Sequence, residues 1–259
     1  MSFFGRVLAS IGIGSAKVDT VLEKSSYFPG EEIRGVVRIQ GGSVEQQVDG
    51  IRLSVMTTYL REMNDSKIHQ NAQISSIRVS QPQLIAVQEL KEIPFSFVLP
   101  WNTPLTMGRT PVWIKTEVDI QSAVDPSDED RIQISPTAHQ RTVLQAIENL
   151  GFGLRDAETL YAPRMRQSLP FVQEFEWVPT GGRYRGRLDE LELIFLDVRP
   201  DGADLLLQID RKASGMMGMF AEALDADEKF VRISLTANDL NAGAHKVAGI
   251  IDSVVAKYS

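Results

Sequence analysis

The side chains able to do chemistry are few and scattered along the chain. There are three histidines, His69, His139 and His245. No two of them stand at HxH or HxxxH spacing, so no paired zinc ligands are offered. They fall in a loop region, a linker helix and a tail helix, where exposed or capping histidines are the expectation. No cysteine is present, which removes thiolate ligands, thiol nucleophiles and disulfides together. A serine hydrolase would want a G-x-S-x-G elbow, and the chain has none. The run Gly12 to Ser15 lacks the spacing of a phosphate loop, since Lys17 follows too soon and a strand pattern comes next. It reads as a flexible connector.

Three clusters invite a binding role. Asp125, Asp128, Glu129 and Asp130 form an acidic run. An EF-hand loop counted from Asp125 would need glycine at position 6 and glutamate at position 12, where Asp130 and Pro136 stand. The run reads instead as a solvated inter-domain linker, with Asp125, Asp128, Asp130 and Arg131 as candidates for a latch between domains. Arg183, Arg185 and Arg187 are spaced by two, which on a strand puts them on one face. They form either a patch for an acidic partner or a solvated edge strand that charge protects from unwanted pairing. Met216, Met217, Met219 and Phe220 form a soft apolar cluster that either caps a core or joins the partner patch. Met216, Met217 and Phe220 are kept with the three arginines as the candidate patch.

The elements that must position these groups are mostly strands. Ile51, Leu53, Val55, Thr57 and Tyr59 alternate with their neighbours, as do Ile93, Phe95, Phe97 and Leu99, and Val112, Ile114, Thr116, Val118 and Ile120. Period-two alternation means one buried and one wet face, the pattern of antiparallel sheets. Pro29-Gly30, Gly41-Gly42, Pro100 and Pro104 punctuate the gaps. After Pro136, Thr137 and Gln140 have capping-box spacing, and Val143, Leu144, Ile147 and Leu150 make a helical stripe closed by Gly151. Leu191, Leu193 and Phe195, then Leu205, Leu207 and Ile209, predict a hairpin around Pro200-Asp201-Gly202. A helical insert over 213–224, a strand over 230–235 and an amphipathic tail helix complete the chain. The tail stripe (Leu240, Ala244, Val247, Ala248, Ile251, Val254, Val255, Tyr258) could dock on its own domain, a partner groove or a membrane surface. Lys246 and Lys257 are offset by Asp239 and Asp252, which disfavours the membrane.

Bulk composition agrees with a folded protein: 43% hydrophobic and 24% charged residues leave no tract that composition alone would keep disordered. A net charge of −7 disfavours nucleic acid and anionic lipid as partners. The first residues carry Phe3, Phe4, Val7, Leu8 and Ile11 at helical spacing, interrupted by Arg6, a poor match to a secretory signal. No stretch approaches the ~20 apolar residues of a membrane span. A cytoplasmic protein is the expectation.

The segment SSYFPGEEIRGVVRIQGGSVEQQVDGIRLSVMTTYL resembles the opening of bacterial SpoOM-type sporulation-control proteins. IPFSFVLPWNTPLT, KTEVDIQSAVDPSDED, the helix end ENLGF, the arm RGRLDELELIF and the insert AEALDADE are similar to further segments of that family, in its order, over roughly residues 15 to 235. The resemblance implies a mainly β fold: two tandem antiparallel β-sandwich domains of arrestin-like type, with a linker helix and a C-terminal amphipathic helix. The expected division is an N-terminal extension (1–14), one sandwich (15–130), a second (131–237) and the helix (238–259). It implies no catalytic residue and no cofactor. The expected role is a non-catalytic scaffold or adaptor, acting through protein partners in sporulation, stress or cell-cycle regulation. The alternative is a peripheral membrane-associated stress protein held by its terminal amphipathic segments.

Overall fold

A computed structural model describes residues 15–63, 66–121, 124–165, 168–210 and 230–258. The N-terminal extension (1–14) and the insert expected over 213–224, and with it Met216, Met217 and Phe220, lie outside the described residues. The chain forms two compact units. Among the described residues, the first draws on 15–57, 72–100 and 112–134, the second on 58–71, 101–111 and those from 135 onward.

In the first unit, β3 (Glu32–Gln40) lies between β1 (Lys17–Leu22) and β7 (Leu90–Val98), antiparallel to both. Along β3, Ile33, Val37 and Ile39 are buried while Glu32, Arg34 and Arg38 are exposed. That is the period-two division of an amphipathic strand. Gly35 breaks the series because the Phe95 ring lies over it: a Cβ there would come within 2.7 Å of that ring. A second layer pairs the first part of β4 (Gln46–Met63) with β8 (Val112–Ile120), β8 with β9 (Ser127–Ile134), and β9 in parallel with β2 (Ser26–Tyr27). Ile51, Leu53 and Val55 on β4 and Ile114, Val118 and Ile120 on β8 are buried, as the alternation predicts. The hydroxyls of Thr20 on β1 and Thr116 on β8 are 2.6 Å apart, so the two layers meet face to face in this unit. The expected division between residues 130 and 131 falls inside β9.

The second unit is a meander of β10 (Phe152–Tyr161), β11 (Phe171–Pro179), β12 (Glu190–Arg199), β13 (Gly202–Asp210) and β14 (Phe230–Thr236). The end of β4 adds to it in parallel at Leu60 and Leu160. Register aligns Phe175, Leu193 and Leu207 across one face, and Trp177, Leu191 and Ile209 beside them. All of these but Ile209 are buried at 1% exposure or less, each removing about 1.5–3 kcal/mol of apolar surface from water. Helix α1 (Ala138–Asn149) packs against β10 and β13 and against α3 (Ala244–Val255). Thr137 opens α1 with the predicted capping box: its side chain accepts from the Gln140 backbone while the Gln140 side chain accepts from the Thr137 N–H. The tail is two helices rather than the expected one. A short α2 (Ala237–Asn241) precedes α3, and Gly243, at φ +93°, turns the chain between them. Val247, Ala248, Ile251 and Val255 of the tail stripe are buried within this unit.

Candidate functional site

The acidic run does not form a linker. Asp128, Asp130 and Arg131 lie in β9, paired with β8 from Val112 opposite Ile132 to Glu117 opposite Ser127. Strand alternation then divides them: Asp128 and Asp130 share the half-buried face with Ile132 and Ile134, and Arg131 stands exposed on the other. The Thr20 N–H of β1 donates to Asp128 Oδ2 at 2.7 Å. Asp130 Oδ2 is buried with no hydrogen-bond partner. Burial first, then the negative charges of Asp128 and Asp19, push the Asp130 carboxyl up to about 6. Asp125 precedes the strand and accepts the Ile120 N–H at 2.9 Å, closing the turn out of β8.

Arg183, Arg185 and Arg187 were expected on a strand and are found in a turn. The cause is the glycine spacing, because Gly182 and Gly186 both take positive φ, +68° and +78°, which bends the chain at each. Between them Tyr184 is buried at 1% exposure, and its hydroxyl donates to Asp252 Oδ1 on α3 at 2.7 Å. Arg183 stacks over the Tyr184 ring with its guanidinium carbon 4.9 Å from the centroid, and pairs with Asp252 at 2.6 Å. Burial, and then the bond to Asp252, raise the Tyr184 phenol further. Arg185 and Arg187 are exposed on this anchored turn, and neither makes an ion pair among the described residues.

A carboxylate network that the strand pattern did not reveal lies on β10, β11 and β12. Glu158, Glu190 and Glu192 are 9%, 1% and 1% exposed, where alternation with Leu191 and Leu193 had predicted a wet face for the last two. Arg155 pairs with Glu190 at 2.8 Å and also with Glu176, and Arg109 pairs with Glu158 at 3.1 Å and also with Asp156. His69 Nε2, in β5 (Ser66–Arg78) rather than the expected loop, is 3.9 Å from Glu158. Glu174 stands directly opposite Glu158. Burial, followed by the charges of Glu190, Glu158 and Asp156, pushes its carboxyl up to about 8. Opposite-charge partners make such burial tolerable, and an acid lacking one stays protonated instead. Among the described residues no group of three or more histidines or acids is disposed to hold a metal ion.

A cleft in the second unit is the other feature the sequence did not show. Phe171, Phe175 and Phe195 wall it, Trp101 and Asn102 stand at its mouth, and Gln140 and Asp197 supply polar groups. The recess, partly open to solvent, has a volume of about 80 Å³. Phe175 and Phe195 meet edge to face with centroids 5.7 Å apart, a packing aromatic rings favour. Segment 101–111 is keyed in place nearby. Leu105 N–H donates to Gln173 Oε1, and Gln173 Nε2 returns a bond to Leu105 O, both at 2.7 Å. No helix among the described residues is long and apolar enough to cross a membrane.

The sequence and the fold both have close likenesses. A family described as "SpoOM protein" matches residues 4–213. The sporulation-control protein spo0M of Bacillus subtilis (strain 168) is 42% identical over 259 residues, covering all of both chains. The crystal structure of Spo0M from Bacillus subtilis superposes with a TM-score of 0.88 at 40% identity, covering 95% of this chain and all of that one.

Proposed function

The chain belongs to the SpoOM protein family, and from that premise we propose that it is a non-catalytic regulator of sporulation control, working in the cytoplasm by contact with other proteins. Its mainly β units are of arrestin-like type on this reading and serve as a scaffold for partners. The name of the full-length relative supports the regulatory role. The observation that carries the contact mechanism is the Arg183–Arg187 turn. Two guanidiniums without ion-pair partners among the described residues are held on a turn that Tyr184 and Asp252 fix to α3. Arginine presented on a rigid element loses little freedom on binding and suits carboxylate partners. The membrane alternative loses one support, because Val247, Ala248, Ile251 and Val255 of the tail stripe are buried in the second unit.

Tagged full-length protein, crosslinked mildly in its own host, should capture a reproducible set of proteins. The double variant Arg185→Glu/Arg187→Glu should lose them while keeping the wild-type melting temperature. Capture that is unaffected by the double variant would remove the turn from the mechanism. Recovery of membrane lipid and membrane proteins alone would overturn the adaptor reading.

A further inference from the structure

We propose that the aromatic cleft of the second unit is an anchor site for one branched aliphatic side chain of a partner protein, flanked in that partner by basic residues. The inference rests on the reading of this chain as a protein-binding regulator and supplies the chemistry of what it binds.

Size decides the first half. The space is about 80 Å³, roughly half of an apolar cavity of ~150 Å³ that admits benzene. An isobutyl or isopropyl group matches a recess of that size. The walls suit such a group: Phe171, Phe175, Phe195 and Val198 are apolar, and Trp101 at the mouth is 41% exposed. A large indole left half in water beside an apolar recess is the usual form of a pocket that becomes an interface hot spot once covered.

Charge decides the second half. Asp197 lines the cleft, and its neighbourhood holds three carboxylates around one guanidinium. Arg199 lies 2.5 Å from Asp197, 3.1 Å from Asp201 and 3.0 Å from Asp204. The three carboxylates and Arg199 carry a net charge of −2, reduced to −1 when Arg232, which acts on Asp204, is counted, and the Asp201 side chain is 81% exposed. A partner bringing lysine or arginine beside its aliphatic anchor gains from that excess, and an acidic partner is repelled. Asn102, which lines the cleft, is fixed by its Nδ2 donating to Ser168 Oγ at 2.9 Å. Anchor and charge stand side by side, since Asp197 belongs to both.

Trp101 is the natural reporter, since Trp113 and Trp177 are 9% and 1% exposed. The test titrates full-length protein with three blocked tripeptides, Lys-Leu-Lys, Lys-Gly-Lys and Glu-Leu-Glu, following indole fluorescence. Lys-Leu-Lys should bind saturably with a Kd of about 1 mM, the range open to so few buried atoms. The other two should bind roughly tenfold more weakly at low ionic strength, the charge-dependent part fading with added salt. Leu169→Phe, at the partly exposed rim, should abolish the response by filling the mouth. Asp197→Asn/Asp201→Asn should reduce discrimination between lysine and glutamate flanks, leaving leucine preferred over glycine. Trp101→Phe removes the signal and serves as the blank. Equal responses to all three peptides, no saturation, or a full response in Leu169→Phe would overturn the proposal. Partner capture from the host by Leu169→Phe separates the two readings. Undiminished capture alongside failed peptide binding sinks the cleft and spares the adaptor role, whereas no capture by wild type sinks the adaptor role itself.

Discussion

Glu174 and Asp130 are carboxyl groups that the fold keeps protonated above their ordinary range, and both make stability depend on pH in the same direction. For Glu174 the ordinary value is 4.5 and burial, with Glu190, Glu158 and Asp156 nearby, pushes it up to about 8. The unfolded chain gives up this proton near pH 4.5 and the folded chain keeps it until about pH 8. Stability is therefore full below pH 4.5, falls as pH rises from there, and levels off above about 8. Glu174→Gln, neutral throughout, should match wild type near pH 4 and exceed it at pH 8 by on the order of 2–4 kcal/mol. Denaturant melts at the two pH values check this, and equal gains at both would show that the acid is not protonated in the folded chain. Asp130 has an ordinary value of 3.8 and a folded value of about 6, so its contribution is lost between those limits. It is only half-buried, and Asp130→Asn should show a smaller gain, fully developed by pH 7 and absent at pH 3.5. Asp130 was singled out in the sequence as a latch candidate and not for its protonation, and Glu174 was not singled out. The burial of both was illegible, because alternation tells that two faces differ and not what lies over each.

At the scale of elements, local chemistry and close approach set the tolerances. Thr137 was readable from its spacing to Gln140, and the capping box forms with both bonds. Thr137→Ala should cost about 1 kcal/mol of stability in a thermal or denaturant melt. Gly108, in segment 101–111, combines φ +57° with a hypothetical Cβ 2.4 Å from Ala157 O and 2.5 Å from Ala157 N on β10. Gly108→Ala should lower stability by more than 2 kcal/mol. Gly243 has φ +93° with open space around it, so the same change there should cost about 1 kcal/mol. Similar losses at the two glycines would show that segment 101–111 yields easily. Strands β4 and β8 were legible because each has one buried and one wetter face. The arginine turn was misread as a strand because two-residue spacing of charge was weighed above the glycines that interrupt it. The acidic start of β9 was misread as a linker for a related reason: polar composition suggested a loop, while pairing to β8 at six positions from Val112 to Glu117 holds it extended. The cleft was illegible, since its walls come from segments about 70 and 95 residues from Trp101.

For the whole molecule, the two units are not consecutive stretches of chain. The second takes residues 58–71 and 101–111 from within the run that builds the first. A fragment ending at residue 130 lacks Ile132 and Ile134, both buried, and the partners that β9 offers β2 at Gln133 and Ile134. A fragment beginning at 131 lacks Leu60, Leu105 and Arg109, which pair or pack within the second unit. Neither fragment should show a cooperative melt, and the intact chain should. A sharp independent transition in either would show that the exchanged segments are dispensable. The exchange also orders events during synthesis. By the time residue 134 has left the ribosome, every strand of the first unit exists, yet Leu60 and Leu105 have nothing to join. Their partners Leu160 and Gln173 arrive only after some further forty residues have been added, about 2–8 s at 5–20 residues per second. Over that interval the nascent chain carries a strand end that is paired with β5 on one edge and open on the other, and an uncovered leucine, the kind of surface a chaperone holds until translation supplies the rest.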